Sequence, residues 1–166
     1  LCTRYGALMI VDEVQSGIGR TGKWFGFQHA GIRPDVITLA KGLGSGVPIG
    51  ACVAAGRAQG VFKPGSHGST FGGGPLACAA GLATLAAMED EKLLENAARM
   101  GELIRSGFRD ALAGVAGVTE IRGMGLMIGI ELDRPCGELV GRALEAGLLI
   151  NVTADRVIRL LPPLVI

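Results

Sequence analysis

Neither sign of charge dominates this chain of 166 residues, in which 16 Lys and Arg stand against 15 Asp and Glu. The two signs are interspersed, which argues against a nucleic-acid or acidic-membrane partner, because both require clustered basic surface. The four cysteines, Cys2, Cys52, Cys78 and Cys136, form no C-x-x-C pair and have no paired histidines nearby. That spacing excludes a zinc site or a disulfide framework and leaves four small apolar residues, expected to be buried in a protein of the reducing cytoplasm. No run reaches the ~20 apolar residues that a bilayer core demands, and no segment reads as a signal peptide. Internal repeats and low-complexity linkers are also lacking.

What the chain does have is apolar content, 49% of its residues, enough to build a core for one ordinary domain or two small ones. Two of its apolar runs end in a charge. Ala7-Leu8-Met9-Ile10-Val11 runs into Asp12, and Val36-Ile37-Thr38-Leu39-Ala40 runs into Lys41. If both runs are buried strands of an open α/β sheet, the acid and the amine arrive at the same edge, outside the carboxyl ends where such sheets bind ligands. Lysines and aspartates commonly cap strand ends to reach water, so either residue alone is unremarkable. As a pair they suit pyridoxal phosphate: the amine would hold the aldehyde as a Schiff base, and the acid would keep the pyridine nitrogen protonated.

The words around these residues sharpen the reading. Asp12 lies in IVDEVQSGIGRTG and Lys41 in DVITLAKGLGSGVPIGA, and PGSHGSTFGGGPLACAAG follows with Thr70. With their spacing, these three motifs resemble the class III (ornithine aminotransferase-like) family of pyridoxal phosphate enzymes, most closely its acetylornithine branch, over nearly the whole chain. The resemblance implies a fold type I α/β transferase. Residues 1–89 would form part of the large, mixed-sheet cofactor domain, and 90–166 a small C-terminal α+β domain that is incomplete at its end. It further implies that the family's first half of the large domain lies upstream of Leu1, leaving this fragment by itself a poor candidate for activity.

Two glycine patterns compete with that reading and fail on context. Gly17, Gly19 and Gly22 fit the dinucleotide fingerprint, but five residues intervene after the strand, no long helix follows, and the second strand ends in a lysine rather than an acid. Gly17 to Lys23 approaches the phosphate-loop pattern, yet Trp24 stands where a hydroxyl must bind magnesium.

Further along, Pro75 to Met88 reads as a tightly packed internal helix with Gly74 as N-cap, where the family usually has Asn. The chain changes character near Glu89. Helical spacing over Asp90 to Leu112 gives way to strands near Val118–Ile121 and Leu126–Leu132, a helix near Gly137–Ala146, and strands near Leu148–Val152 and Val157–Leu161.

By resemblance, Lys41 is the covalent cofactor lysine and the base that moves the substrate proton, while Asp12 is the pyridinium partner. Glu13 beside it must face the opposite way, because strand neighbours alternate. Val14 packs on the ring, Gln15 bonds near its phenolic oxygen, and Ser69 and Thr70 reach the phosphate. The threonine does so in a neighbouring subunit, which implies a homodimer. Arg159, a charge inside Val157-Ile158-Arg159-Leu160-Leu161, suits bidentate capture of a substrate carboxylate. His67 would shape the phosphate loop and His29 would lie at the surface. The expected reaction is amino transfer between N-acetylornithine and 2-oxoglutarate in arginine biosynthesis. Ornithine, succinylornithine, succinyldiaminopimelate and 4-aminobutyrate transamination, an aminomutase, or an inert half-domain remain as alternatives.

Overall fold

The structure, a computed structural model, describes residues 1–166. After a single helical turn, α1 (Cys2–Tyr5), the two charge-terminated runs become β1 (Ile10–Asp12) and β2 (Val36–Leu39). They pair in parallel with Asp12 opposite Thr38, and β3 (Ala51–Ala54) joins the far side of β2 in antiparallel. Only one of the two strands is buried as expected. β2 turns Ile37 and Leu39 into the core, whereas β1 is an edge strand whose Ile10 is 65% exposed. Alternation sends Val11 toward the covered face and leaves its neighbours on a face that nothing in this chain covers.

The Pro75 segment forms α2 (Pro75–Asp90), with Gly74 in extended conformation at the N-cap. It is not internal within this chain. Gly81 and Met88 are buried, while Leu76 and Leu82 lie in the open, because its apolar residues surround the helix rather than forming one stripe. A left-handed Lys92 turns the chain into α3 (Leu93–Ala111), which does have one apolar face. Its buried Ala97, Gly101 and Arg105 recur every four residues.

α3 packs on a second, fully antiparallel sheet of order β4-β5-β7-β6. Its strands are β4 (Val118–Met124), β5 (Met127–Leu132), β6 (Asn151–Thr153) and β7 (Val157–Leu160), with α4 (Glu138–Glu145) between β5 and β6. Ile128 and Ile130 alternate inward on β5, opposite Leu160 and Ile158 of β7. β6 starts later than its apolar sequence suggests. The Leu148 N–H still closes the end of α4 on the Ala143 carbonyl, so Leu148 and Leu149 remain exposed outside the strand.

The first sheet's core consists of Ile18, Ile37, Leu39, Leu43 and Met88, with Leu164 from the far end of the chain packed against it. Burial of all four cysteines does not hold. Cys136 is buried, but Cys52 and Cys78 sit on the uncovered sides of β3 and α2. No helix is long and apolar enough to cross a membrane.

Candidate functional site

The two strand-end charges lie at the carboxyl ends of adjacent parallel strands. Asp12 is exposed, and its Oδ1 accepts the Val14 N–H at 2.9 Å and the Thr38 hydroxyl at 3.1 Å. Both bonds fall on one oxygen, so Oδ2 is free to hold another N–H. Glu13 points the other way and is 1% exposed. Its carboxylate accepts from the Ser16 hydroxyl at 2.6 Å and from the Gly26 and Phe27 N–H groups at 2.9 and 2.7 Å. Alternation thus divides two adjacent acids into a buried anchor and an open, half-occupied group.

Lys41 opens a 3-10 turn, Lys41–Gly44, with a left-handed backbone at φ 47°. A non-glycine residue held there stores about 1–3 kcal/mol of strain, and such residues concentrate at functional sites. Its side chain is exposed, and no carboxylate pairs with its amine. Ile18, which lies 3.6 Å from where a Cβ on the following Gly42 would stand, is a β-branched residue also at positive φ, 53°, so strain occurs at two residues of the same neighbourhood.

Lys41 shares a cavity of about 460 Å³ with Val14, Gln15, Arg20, Met88 and Leu164. Gln15 is drawn toward the second sheet, where its Oε1 accepts a long hydrogen bond of 3.4 Å from Nη1 of Arg159 on β7. Arg159 Nε is buried and has no partner, an expensive condition for a charged donor unless a ligand relieves it. This arginine also lines a cleft of about 710 Å³ with Glu13, Phe27, Met127 and Val157.

Ser69 and Thr70 stand apart from these groups. They occupy an exposed loop where the Ser69 hydroxyl accepts the Gly72 N–H at 2.9 Å, and neither lines the Lys41 cavity. His67 packs edge-on against Phe62 in the same region. His29 is exposed but tethered, its Nε2 lying 3.1 Å from both the carbonyl and the hydroxyl oxygen of Thr21.

The glycines of the GIGRTG segment admit close packing. A Cβ on Gly19 would lie 2.5 Å from the Met88 methyl, and one on Gly22 would lie 3.0 Å from the Ala98 Cβ. Sequence reasoning passed over Arg20 within it. Its Nη1 donates to the carbonyls of Leu126, at 3.3 Å, and Pro162, and burial pushes its guanidinium pKa downward. The available signal was one arginine in a run otherwise built of small residues.

The family model described as "Aminotransferase class-III" matches residues 1–166. Acetylornithine aminotransferase 1 of Bordetella bronchiseptica is 68% identical over 166 residues, covering all of this chain and 42% of that protein. The chain therefore spans well under half the length of the curated relatives it matches. Among solved structures, acetylornithine aminotransferase from Elizabethkingia anophelis superposes with a TM-score of 0.90 at 42% identity, covering 99% of this chain and 45% of that one. Ornithine aminotransferase from Toxoplasma gondii, described with partial occupancy of PLP at its active site, gives 0.92 at 42% identity, covering 99% and 40%.

Proposed function

Because this chain belongs to the class III aminotransferase family along all 166 of its residues, we propose that it carries the cofactor lysine and a substrate-carboxylate arginine of a pyridoxal phosphate-dependent enzyme that exchanges an amino group between N-acetylornithine and 2-oxoglutarate. One observation carries this reading: an unpaired amine and a half-occupied carboxylate stand at the ends of adjacent parallel strands. The acetylornithine choice rests on the 68% identical relative.

The residues fit the cofactor. A pyridine nitrogen needs an acid with a free oxygen, which Asp12 offers at Oδ2, and an aldehyde needs an amine without an ion pair, which Lys41 offers. Val14 supplies an apolar cover, and the amide donors of Gln15 remain for a phenolic oxygen because only its Oε1 is engaged. When bound, pyridoxal phosphate supplies an electron sink for the charge left at the reacting carbon. Asp12 holds the proton at the ring nitrogen and so maintains that sink. Lys41 Nζ takes the proton from the reacting carbon and returns it during exchange, helped by a turn that fixes its backbone. The Arg159 guanidinium orients a substrate carboxylate, which satisfies its buried Nε.

Residues 1–89 are then part of the cofactor domain and 90–166 the small domain of a cytoplasmic homodimer, in which Ser69 and Thr70 reach the partner's phosphate site. Their position on an exposed loop away from Lys41 supports that arrangement. Mixed dimers of full-length Lys41→Ala and Thr70→Ala subunits should regain activity, because one site then carries neither lesion; verified mixed dimers as inactive as their parents would reject the shared site.

The reaction is tested in a full-length protein carrying these residues by a donor screen with and without 2-oxoglutarate. N-acetylornithine should be the best donor, and turnover should require the oxo-acid. A preference for ornithine or 4-aminobutyrate would overturn the donor, and turnover without oxo-acid would overturn transamination itself.

A further inference from the structure

Arg159 does not reach Gln15 by the strand pairing of its own sheet alone. β7 is hydrogen-bonded to β5 and β6, and nothing in that ladder sets its distance from the turn that follows β1. The tie is made elsewhere, by Arg20. Its Nη1 donates to the carbonyl of Pro162, three residues beyond Arg159, and also to the carbonyl of Leu126 in the β4–β5 turn at 3.3 Å. The connection to that turn runs both ways, since the Leu126 N–H donates to the Arg20 carbonyl at 3.0 Å and Leu126 is fully buried.

The backbones around this tie are in direct contact. A Cβ on Gly125 would lie 2.5 Å from the Thr21 carbonyl carbon and 2.7 Å from the Arg20 oxygen. That closeness leaves the β4–β5 turn no freedom to slide along residues 20–22. A closed circuit results. It runs from Gln15 along the chain to Arg20, across to Pro162, back along β7 to Arg159, and across again to Gln15.

We propose that Arg20 is a positioning residue that sets where Arg159 stands relative to the turn carrying Val14 and Gln15, and thereby governs carboxylate affinity without holding the cofactor. The inference rests on the reading of Arg159 as the carboxylate-binding group. A planar guanidinium with several fixed donors can join two carbonyls from separate segments; an ammonium is a more strongly hydrated point charge and loses that geometry. Both carbonyls lie where regular pairing ends, beyond β7 and in the hairpin turn, so neither has a ladder partner to replace Arg20.

The test uses a full-length, cofactor-loaded protein carrying these residues, with glutarate as the probe, since it has two carboxylates and no oxo group to react. Calorimetry reads glutarate affinity, and the visible absorbance band reads the cofactor. Arg20→Lys keeps the charge, and Arg20→Met keeps the apolar stem that lines the cavity, which guards against a variant that merely fails to fold. Both should weaken glutarate binding by roughly three- to thirtyfold, the range for residues that act through another. The absorbance band should be unchanged, and KM for 2-oxoglutarate should rise more than kcat falls. Adding Arg20→Met to Arg159→Ala should weaken binding little beyond Arg159→Ala alone, because both changes act on one contact.

Glutarate affinity unchanged in both Arg20 variants but lowered in Arg159→Ala would overturn this proposal alone. Affinity unchanged in Arg159→Ala as well would overturn the carboxylate reading of Arg159 together with it. Loss of the cofactor band in step with glutarate affinity would show that Arg20 supports the whole site and would likewise reject the positioning role.

Discussion

The four-stranded sheet and the carboxyl end of the three-stranded sheet treat their charged residues in opposite ways. On the four-stranded sheet Arg122 pairs with Glu120 and Glu131, Arg156 pairs with Glu131, and all but the half-buried Glu131 sit toward solvent. At the end of the three-stranded sheet Lys41 has no acidic partner, Asp12 uses one of its two oxygens, and the backbone beneath is strained at Ile18 and Lys41. Exposed pairs satisfy each other and contribute little. Charges left open on a rigid, strained scaffold are instead available to a ligand. Arg159 belongs to the regular sheet by its backbone and to the strained site by its side chain, and its unpartnered Nε marks the crossing.

If that contrast is functional, the largest effect belongs to Lys41. Lys41→Ala in the full-length protein should lower turnover by ~10²–10⁴-fold, the scale of a lost proton-transfer group. Borohydride reduction followed by peptide mapping should place the pyridoxyl group on Lys41; a label on Lys23 or Lys63 would break the comparison at its strongest point.

Asp12 comes next. Asp12→Asn keeps a hydrogen-bonding side chain but removes the charge, so turnover should fall by about 10²–10³-fold, the cost of one electrostatic stabiliser, while cofactor retention changes much less. Near-normal turnover would return Asp12 to the class of ordinary strand-end acids.

The crossing residue should give a smaller and more selective effect. Arg159→Ala removes a charge-assisted contact of about 1.5–3 kcal/mol, or roughly ten- to a hundredfold in apparent substrate affinity. The loss should track the carboxylate. Equal effects on amino acids and on decarboxylated amines would show that Arg159 only supports the sheet.

The smallest effect concerns an acid of the first sheet that is fully engaged. Asp35 accepts the Met9 N–H at 2.8 Å and pairs with Arg57 at 3.0 Å; the backbone bond first, then Arg57, hold its pKa below the usual value. With the folded pKa depressed, the unfolded state binds more protons between the two values. The contribution is present above the unfolded pKa of ~3.9 and is lost as pH falls through the folded one. Asp35→Asn should therefore flatten the acid limb of stability, read as urea midpoints from neutral pH downward, and leave turnover alone. An unchanged limb would mean that this engaged acid carries no linkage to folding.

Much of this molecule was legible before its structure. The apolar runs ending in Asp12 and Lys41 foretold two strands that bring their charges to one edge, because a short apolar run closed by a charge marks a strand end, although β1 starts only at Ile10. Helical spacing over Asp90 to Leu112 announced α3, which starts three residues later, at Leu93. Burial went astray where it depended on what lies across from a residue rather than beside it. The exposed side of α2, the edge position of β1 and the open thiols of Cys52 and Cys78 depend on which surfaces meet, which no local period records.

The same division runs through the site. The sequence by itself determined the chemical types, an amine and an acid delivered by two strands, and alternation required Asp12 and Glu13 to part company. Only the tertiary structure decided which acid was buried, that Arg159 would meet Gln15 across 144 positions of chain, and that Arg20 would bridge Leu126 and Pro162. Those choices depend on long-range packing, in which a glycine such as Gly125 lets two backbones touch. Composition and spacing fix what a residue can do, but the partner that makes it do so arrives from a distant part of the chain, and only folding sets that distance.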